Sequence, residues 1–126
     1  MGTRYLIDTN ALSDYFGEKL PLSDLDFIDT LVNENPHISV MTGIESLSFL
    51  TPQIEIFRSF VGYSTVFDLT EDIILRIIAL RRSRRIKTPD TIITATDLEY
   101  DLTLITYNTS DFQGIPNLKL LDAHSL

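Results

Sequence analysis

The sequence predicts an α/β domain with a small, mostly parallel sheet and helices on both faces, on three observations. Short apolar runs of three or four residues alternate with longer stretches of helical periodicity, the pattern of strand-helix-strand units. At 126 residues the chain is long enough for one buried core and is read as one domain, 1–126. Its 44% apolar and 22% charged residues are globular proportions, with no repeat, low-complexity tract or Gly/Ser linker to divide it.

The elements follow in order. Tyr5-Leu6-Ile7 is an apolar run that stops at Asp8, a buried strand followed by a turn starting at Asn10. Ser23, with Asp26 three residues on, opens a helix that places Leu25, Ile28, Leu31 and Val32 on one face and closes at Asn35-Pro36. His37-Ile38-Ser39-Val40 is a second strand. Thr42-Gly43-Ile44-Glu45 has the spacing of a capping box and opens another helix. Pro52 splits the apolar segment 44–63 into two short helices. Val66-Phe67-Asp68-Leu69 is an edge strand, and Thr70 caps a long helix with Ile73, Ile77 and Leu80 at helical spacing. Thr88 at the cap and Pro89 at the first helical position start the next helix. Thr103-Leu104-Ile105-Thr106 and Leu118-Lys119-Leu120-Leu121 complete the strands.

Composition excludes several chemistries. There is no cysteine, so disulfide scaffolds, thiol catalysis and cysteine-bound zinc are ruled out. Two histidines, His37 and His124, are too few for a histidine metal cluster, and both are expected to be structural or incidental. No transmembrane run, signal peptide or myristoylation motif is present, so a cytoplasmic location with no membrane partner is expected. A net charge of −8 argues against generic nucleic-acid coating. The charge is uneven, however: residues 76–87 hold Arg76, Arg81, Arg82, Arg84, Arg85 and Lys87 and no acid.

In an open parallel sheet, ligands bind at the carboxyl ends of the strands, where helix N-termini also point. Four acids from four distant stretches fall there: Asp8, Glu45, Asp90 and Asp111. Each also has a purely structural reading as a cap or a first-turn acid. Together they are harder to explain, since carboxylates ~4 Å apart repel by roughly 4 kcal/mol at an effective dielectric of 20. Such a cluster either raises its pKa values or holds a cation. An all-oxygen set suits a hard ion, Mg²⁺ or Mn²⁺, and such ions serve phosphoryl chemistry.

Leu6-Ile7-Asp8-Thr9-Asn10, Ile38-Ser39-Val40 leading to Glu45, Pro89-Asp90-Thr91-Ile92-Ile93, and Thr106-Tyr107-Asn108-Thr109-Ser110-Asp111-Phe112 together resemble the PIN-domain ribonucleases, above all the VapC toxins of bacterial toxin–antitoxin pairs. The resemblance runs through the whole chain in order and spacing. It implies a single PIN-like nuclease domain over 1–126, acting as a Mg²⁺- or Mn²⁺-dependent endoribonuclease that hydrolyses RNA phosphodiester bonds. Asp8, Glu45 and Asp90 match the family's metal carboxylates, and Asp111 matches its more variable fourth acid; all four are taken as catalytic. Thr106 matches a hydroxyl that supports the metal–water network, and Asn10 matches a polar position beside the first aspartate. Asn108 is grouped with these supporting residues. Two positions depart from the pattern. Tyr107 stands where arginine is usual, offering a base-stacking ring instead of a phosphate contact, and Thr91 follows the third acid in place of a smaller residue.

Two surfaces complete the expectation. The basic strip, with Arg81 and Arg85 on one helix face beside Arg82 and Lys87, either grips RNA phosphates or complements a helix dipole. Segment 44–63 carries only Glu45, Glu55 and Arg58 as charges, with Phe49, Phe57, Phe60 and Tyr63 among its apolar residues. It is core, or a dimer face or groove for a partner's helix. The resemblance implies both a homodimer and a cognate antitoxin. The alternatives are a PIN domain that binds RNA or protein without cutting, and a Mg²⁺-dependent phospho-receiver module, for which Lys119 sits in the wrong place.

Overall fold

The computed structural model describes residues 3–49 and 51–123. Strands β1 (Tyr5–Ile7), β4 (Thr103–Thr106) and β5 (Lys119–Asp122) form one parallel ladder in the order β1-β4-β5. Strands β2 (His37–Ser39) and β3 (Thr65–Phe67) form a second parallel ladder. β2 lies against β1, so the spatial order is β3-β2-β1-β4-β5, but no ladder joins β1 to β2. The expected mostly parallel sheet is therefore present and split along one seam. After β3 the chain crosses to the other side of β1, so the C-terminal ends of β1 and β4 flank the point where strand order reverses.

Burial on both faces follows from the two-residue period of a strand. Leu6 and Leu104 point to one side, where they pack with Ile93, Leu102, Phe112 and Ile115. Ile7 and Ile105 point to the other, among Ala11, Leu12, Ile28, Ile38, Phe57 and Phe60. Helices α1 (Thr9–Phe16), α2 (Leu22–Asn33) and α4 (Ile54–Tyr63) cover the second side, while α6 (Thr88–Glu99) and a 3-10 turn at Thr109–Phe112 cover the first. Strands apolar on both faces are what a fully covered parallel sheet demands.

Several boundaries differ from the sequence reading. The turn expected at Asn10 is a full helix, α1. Asp8 caps it by accepting from the Thr9 N–H, and Ala11, Leu12, Tyr15 and Phe16 form its core face. α2 starts one residue before Ser23, with Pro21 at the cap. It ends where Asn35 adopts φ 51° ahead of Pro36. The helix after β2, α3 (Val40–Ser48), is capped by Ser39, whose Oγ accepts from Thr42 N at 3.1 Å. The Thr42–Glu45 capping box is thus not formed, and Glu45 sits in the second turn instead of the first. α5 (Glu71–Ser83) is capped by Thr70 as expected, accepting from Ile73 N at 3.3 Å. α6 has Lys87 at its cap, Thr88 first and Pro89 second, a one-residue shift that still spares any intrahelical bond. None of the helices among the described residues is long and apolar enough to cross a membrane.

Candidate functional site

Asp8 ends β1 and is only 5% exposed. Its Oδ1 accepts from Thr9 N at 2.8 Å, and its Oδ2 accepts from Thr106 Oγ1 at 2.7 Å and Asn10 Nδ2 at 3.0 Å. Asn10, two residues after Asp8, also accepts at Oδ1 from Tyr107 N at 3.0 Å. Thr106, fully buried at the end of β4, accepts in turn from Asn108 N at 3.0 Å. One network therefore ties the ends of β1 and β4 together across the reversal point. Burial pushes the Asp8 carboxyl up to about 6. The Thr106 and Thr9 bonds oppose the rise, and the charges of Asp90 and Glu45 add to it.

Glu45 reaches the same place from α3, its Oε1 accepting from Thr9 Oγ1 at 2.7 Å. Asp90 arrives from the first turn of α6, half-buried and raised by burial, by Asp111 and by Glu45, with Lys87 opposing. Asp111 lies exposed in the 3-10 turn. All four acids line one cleft of ≈ 310 Å³, together with Asn10 and Asn108. The sequence-predicted acids are thus brought together at the carboxyl edge of the sheet.

The cleft is not a closed ligand cage. Among the described residues no three acids or histidines stand close enough to share an ion. The ion pairs Arg58–Glu55, Arg76–Glu99 and Lys119–Asp101 lie away from these acids. Asp8 and Asp90 are both raised, by burial first and then by the charges of their acidic neighbours, and no cationic side chain is bonded to either. By its chemistry, an all-oxygen set of this kind suits a hard divalent ion that keeps several of its own waters.

The sequence reading missed some lining residues. Thr9, Ser13, Asp14 and Phe49 also face the cleft. Ser13 and Asp14 stand three and four residues from Asn10, so recognising α1 as a helix would have placed them on its face.

Other expectations are corrected. Tyr107 is not a cleft residue: its ring packs against the core and its hydroxyl donates to Asp24 Oδ2 at 3.1 Å. Burial and the Asp24 contact hold that phenol well above its usual value. Arg81 and Arg85 do not share a helix face, because α5 stops at Ser83 and Arg84 is already extended. Arg81 braces the α5–α6 connection, donating to Ile86 O at 3.3 Å and to Thr88 Oγ1. Arg81, Arg84, Arg85 and Lys87 line a ≈ 700 Å³ groove running to Pro89, next to Asp90, which Arg82 does not enter. In segment 44–63, Phe57 and Phe60 are core, but Ile44 is 54% exposed and Phe49 53%. Leu47, Ile56 and Tyr63 are exposed with them. His37 stacks on Phe67, centroids 5.7 Å apart, a structural role as expected; His124 lies outside the described residues.

The fold has solved counterparts. A toxin–antitoxin complex from Klebsiella pneumoniae contains a chain 29% identical, superposing with a TM-score of 0.73 over 94% of this chain and 97% of that one. VapBC-1 from nontypeable Haemophilus influenzae gives 22% identity and a TM-score of 0.75 over 97% and 99%. VapBC2 from Rickettsia felis, bound to a DNA fragment from its promoter, gives 19% and 0.72 over 95% and 98%. No curated protein matches the sequence. The sequence signature of the PIN domain does match, over residues 5–118, a stretch holding all four cleft acids, and the chain belongs to the PIN-domain family.

Proposed function

We propose that this chain is a metal-dependent endoribonuclease, using Mg²⁺ or Mn²⁺, and the toxin of a toxin–antitoxin pair held in check by a cognate antitoxin. The observation that carries the reading is the convergence of Asp8, Glu45, Asp90 and Asp111 on one cleft at the reversal point of the sheet. Family membership and the likeness to a toxin–antitoxin chain at 29% identity support it.

Asp8, Glu45, Asp90 and Asp111 would hold the ion. When bound, a hard divalent ion supplies a water of lowered pKa and charge stabilisation for in-line attack on a phosphodiester. Asn10 and Thr106 fix the Asp8 carboxylate by two donated bonds, and Thr9 fixes Glu45 by one. Such second contacts orient ligands and tune their basicity. The exposed apolar residues Ile44 and Leu47 on α3, Phe49 just after it, and Ile56 and Tyr63 on α4 suit the homodimer contact and the antitoxin's seat.

The test is cleavage of a mixed transfer-RNA and messenger-RNA pool by the antitoxin-free protein with Mg²⁺, with Mn²⁺ and with chelator. Fragments are expected with either metal and none with chelator. Intact RNA in all three tubes, from folded protein, would leave a domain that binds without cutting.

The groove beside Asp90 is the expected track for the RNA backbone. Because Arg81 is committed to the α5–α6 connection, Arg85 and Lys87 are the better probes. Replacing both with glutamate should weaken RNA binding by about tenfold or more and flatten its salt dependence, each phosphate contact contributing a log–log slope of about 0.7 on single strands. Metal affinity, read by calorimetry, should not fall, because losing the Lys87 charge beside Asp90 favours a cation there. An unaltered salt slope would remove these side chains from the RNA path.

A further inference from the structure

A further cavity, of ≈ 440 Å³, lies away from the acid cleft, between α5, the C-terminal half of α6 and the turn at Pro116 and Asn117. Asp97 and Arg84 are among its walls. Asp97 is 1% exposed, and neither of its carboxylate oxygens has a hydrogen-bond partner. Arg84 Nε is likewise buried and unpartnered. Asp97 stands seven residues after Asp90 on α6, about 10 Å further along the helix axis.

Buried polar groups without partners are few in native proteins, because each forfeits its hydration without a hydrogen bond in return. Here an acid and a guanidinium N–H, both unmatched and not bonded to each other, belong to two residues that wall one cavity, while Arg84 Nη1 donates to Gly114 O. The neighbouring charges do not repair them. Asp101 is engaged by Lys119 at 2.8 Å, and Arg76 by Glu99 at 3.4 Å. Burial pushes the Asp97 carboxyl up to about 8, Asp101 adding to the rise and Lys119 opposing it. The cavity is far larger than the ~30 Å³ share of one water and falls in the ~300–1,000 Å³ range of small-molecule sites.

Its chemistry restricts the occupant. Ala79, Leu80, Leu98 and Leu102 give apolar walls suited to a flat ring. The free groups are one N–H donor and a carboxyl that offers two acceptor oxygens once its proton is released. A guanine base carries the complement on a single edge, with its ring N1–H and exocyclic amino group for the carboxylate and O6 for the guanidinium. Phosphate attached to such a base would meet positive potential, because Arg84 is shared with the groove lined by Arg81, Arg85 and Lys87. We propose that this cavity is a guanine nucleotide pocket, separate from the acid cleft, in which Asp97 and Arg84 read the base. The base comes either from a free nucleotide or from the RNA strand lying in that groove. The second source rests on the ribonuclease reading.

The experiment is calorimetric titration of Asp8→Asn protein, chosen to suppress RNA cleavage, with GMP, AMP, CMP, UMP and a short guanine-containing oligoribonucleotide. GMP should bind saturably and about tenfold or more tighter than the other three mononucleotides, the discrimination a matched set of base contacts provides. Asp97→Leu and Arg84→Met, introduced separately and checked for a cooperative melt, should each lower GMP affinity by about tenfold. If the oligonucleotide binds more tightly than GMP and loses that advantage in Asp97→Leu, the strand is the source; GMP binding alone points to the free nucleotide. No preference among the four mononucleotides, no binding, or GMP affinity unchanged in folded Asp97→Leu would overturn the proposal. The mononucleotide measurements use no cleavage, so failure of the nuclease reading would be seen separately, as intact RNA with the wild-type protein.

Discussion

Replacing Asp8 with asparagine is expected to slow RNA cleavage by ~10³-fold, the several kcal/mol of transition-state stabilisation that a metal ligand helps to supply. The melting temperature should stay within about 5 °C of wild type. The two halves of this expectation have different causes. Cleavage falls because the charge that would hold the ion is gone. Folding survives because asparagine keeps the shape and the carbonyl that caps α1 through Thr9 N. One acceptor facing Asn10 and Thr106 is lost, a cost of about 1 kcal/mol. Removing a carboxylate that burial has pushed up to about 6 offsets it. Asp90→Asn should give the same split, since Asp90 is also raised by burial and by its acidic neighbours. Rates from single-turnover cleavage and melts from calorimetry check both. Wild-type cleavage by folded Asp8→Asn would remove the cleft from the reaction, whereas joint loss of fold and activity would reduce Asp8 to a cap.

What the sequence reveals here depends on the range of the interactions involved. Strands were legible because a three-residue apolar run such as Tyr5-Leu6-Ile7 has few alternatives once it stops at an acid. The meeting of Asp8, Glu45, Asp90 and Asp111 was legible because strand ends share an edge, whatever the exact caps. Caps were less so: Thr42 and Ser39 are both competent, and the choice fell to Ser39 because α3 begins directly where β2 ends. Helix α1 was missed although Ala11, Leu12, Tyr15 and Phe16 carry its period, since eight residues give a weak local signal and tertiary packing decides. Arg85 was misplaced because nothing local marks Ser83 as the last helical residue. Asp97 had a signal that went unused: it falls four residues after Ile93 on the face of α6 that packs inward, where an acid is rare.

Asp97 gives the second large effect, on stability. Burial, first among the causes, pushes its folded carboxyl up to about 8 from the ordinary 3.8. Between those values the folded chain keeps a proton that the unfolded chain has released. The stabilisation is complete below about pH 4, is lost as pH rises towards 8, and changes no further above it, with a slope approaching ~1.4 kcal/mol per pH unit. Asparagine mimics the neutral acid at every pH, so Asp97→Asn should melt like the wild type at pH 4 and be more stable by ~2 kcal/mol or more at pH 8. The groups facing Asp97 do not reproduce this window. Asp101 is held below its usual range by Lys119 and stays ionised across it, and Arg76 and Arg84 carry fixed charge. Urea titrations of both proteins at several pH values between 4 and 9 isolate the difference, because the other acids are common to both. A difference that does not grow with pH would mean that the ionised carboxylate is already satisfied inside the fold. In that case the cavity beside it would have no unmet acceptor to offer a base.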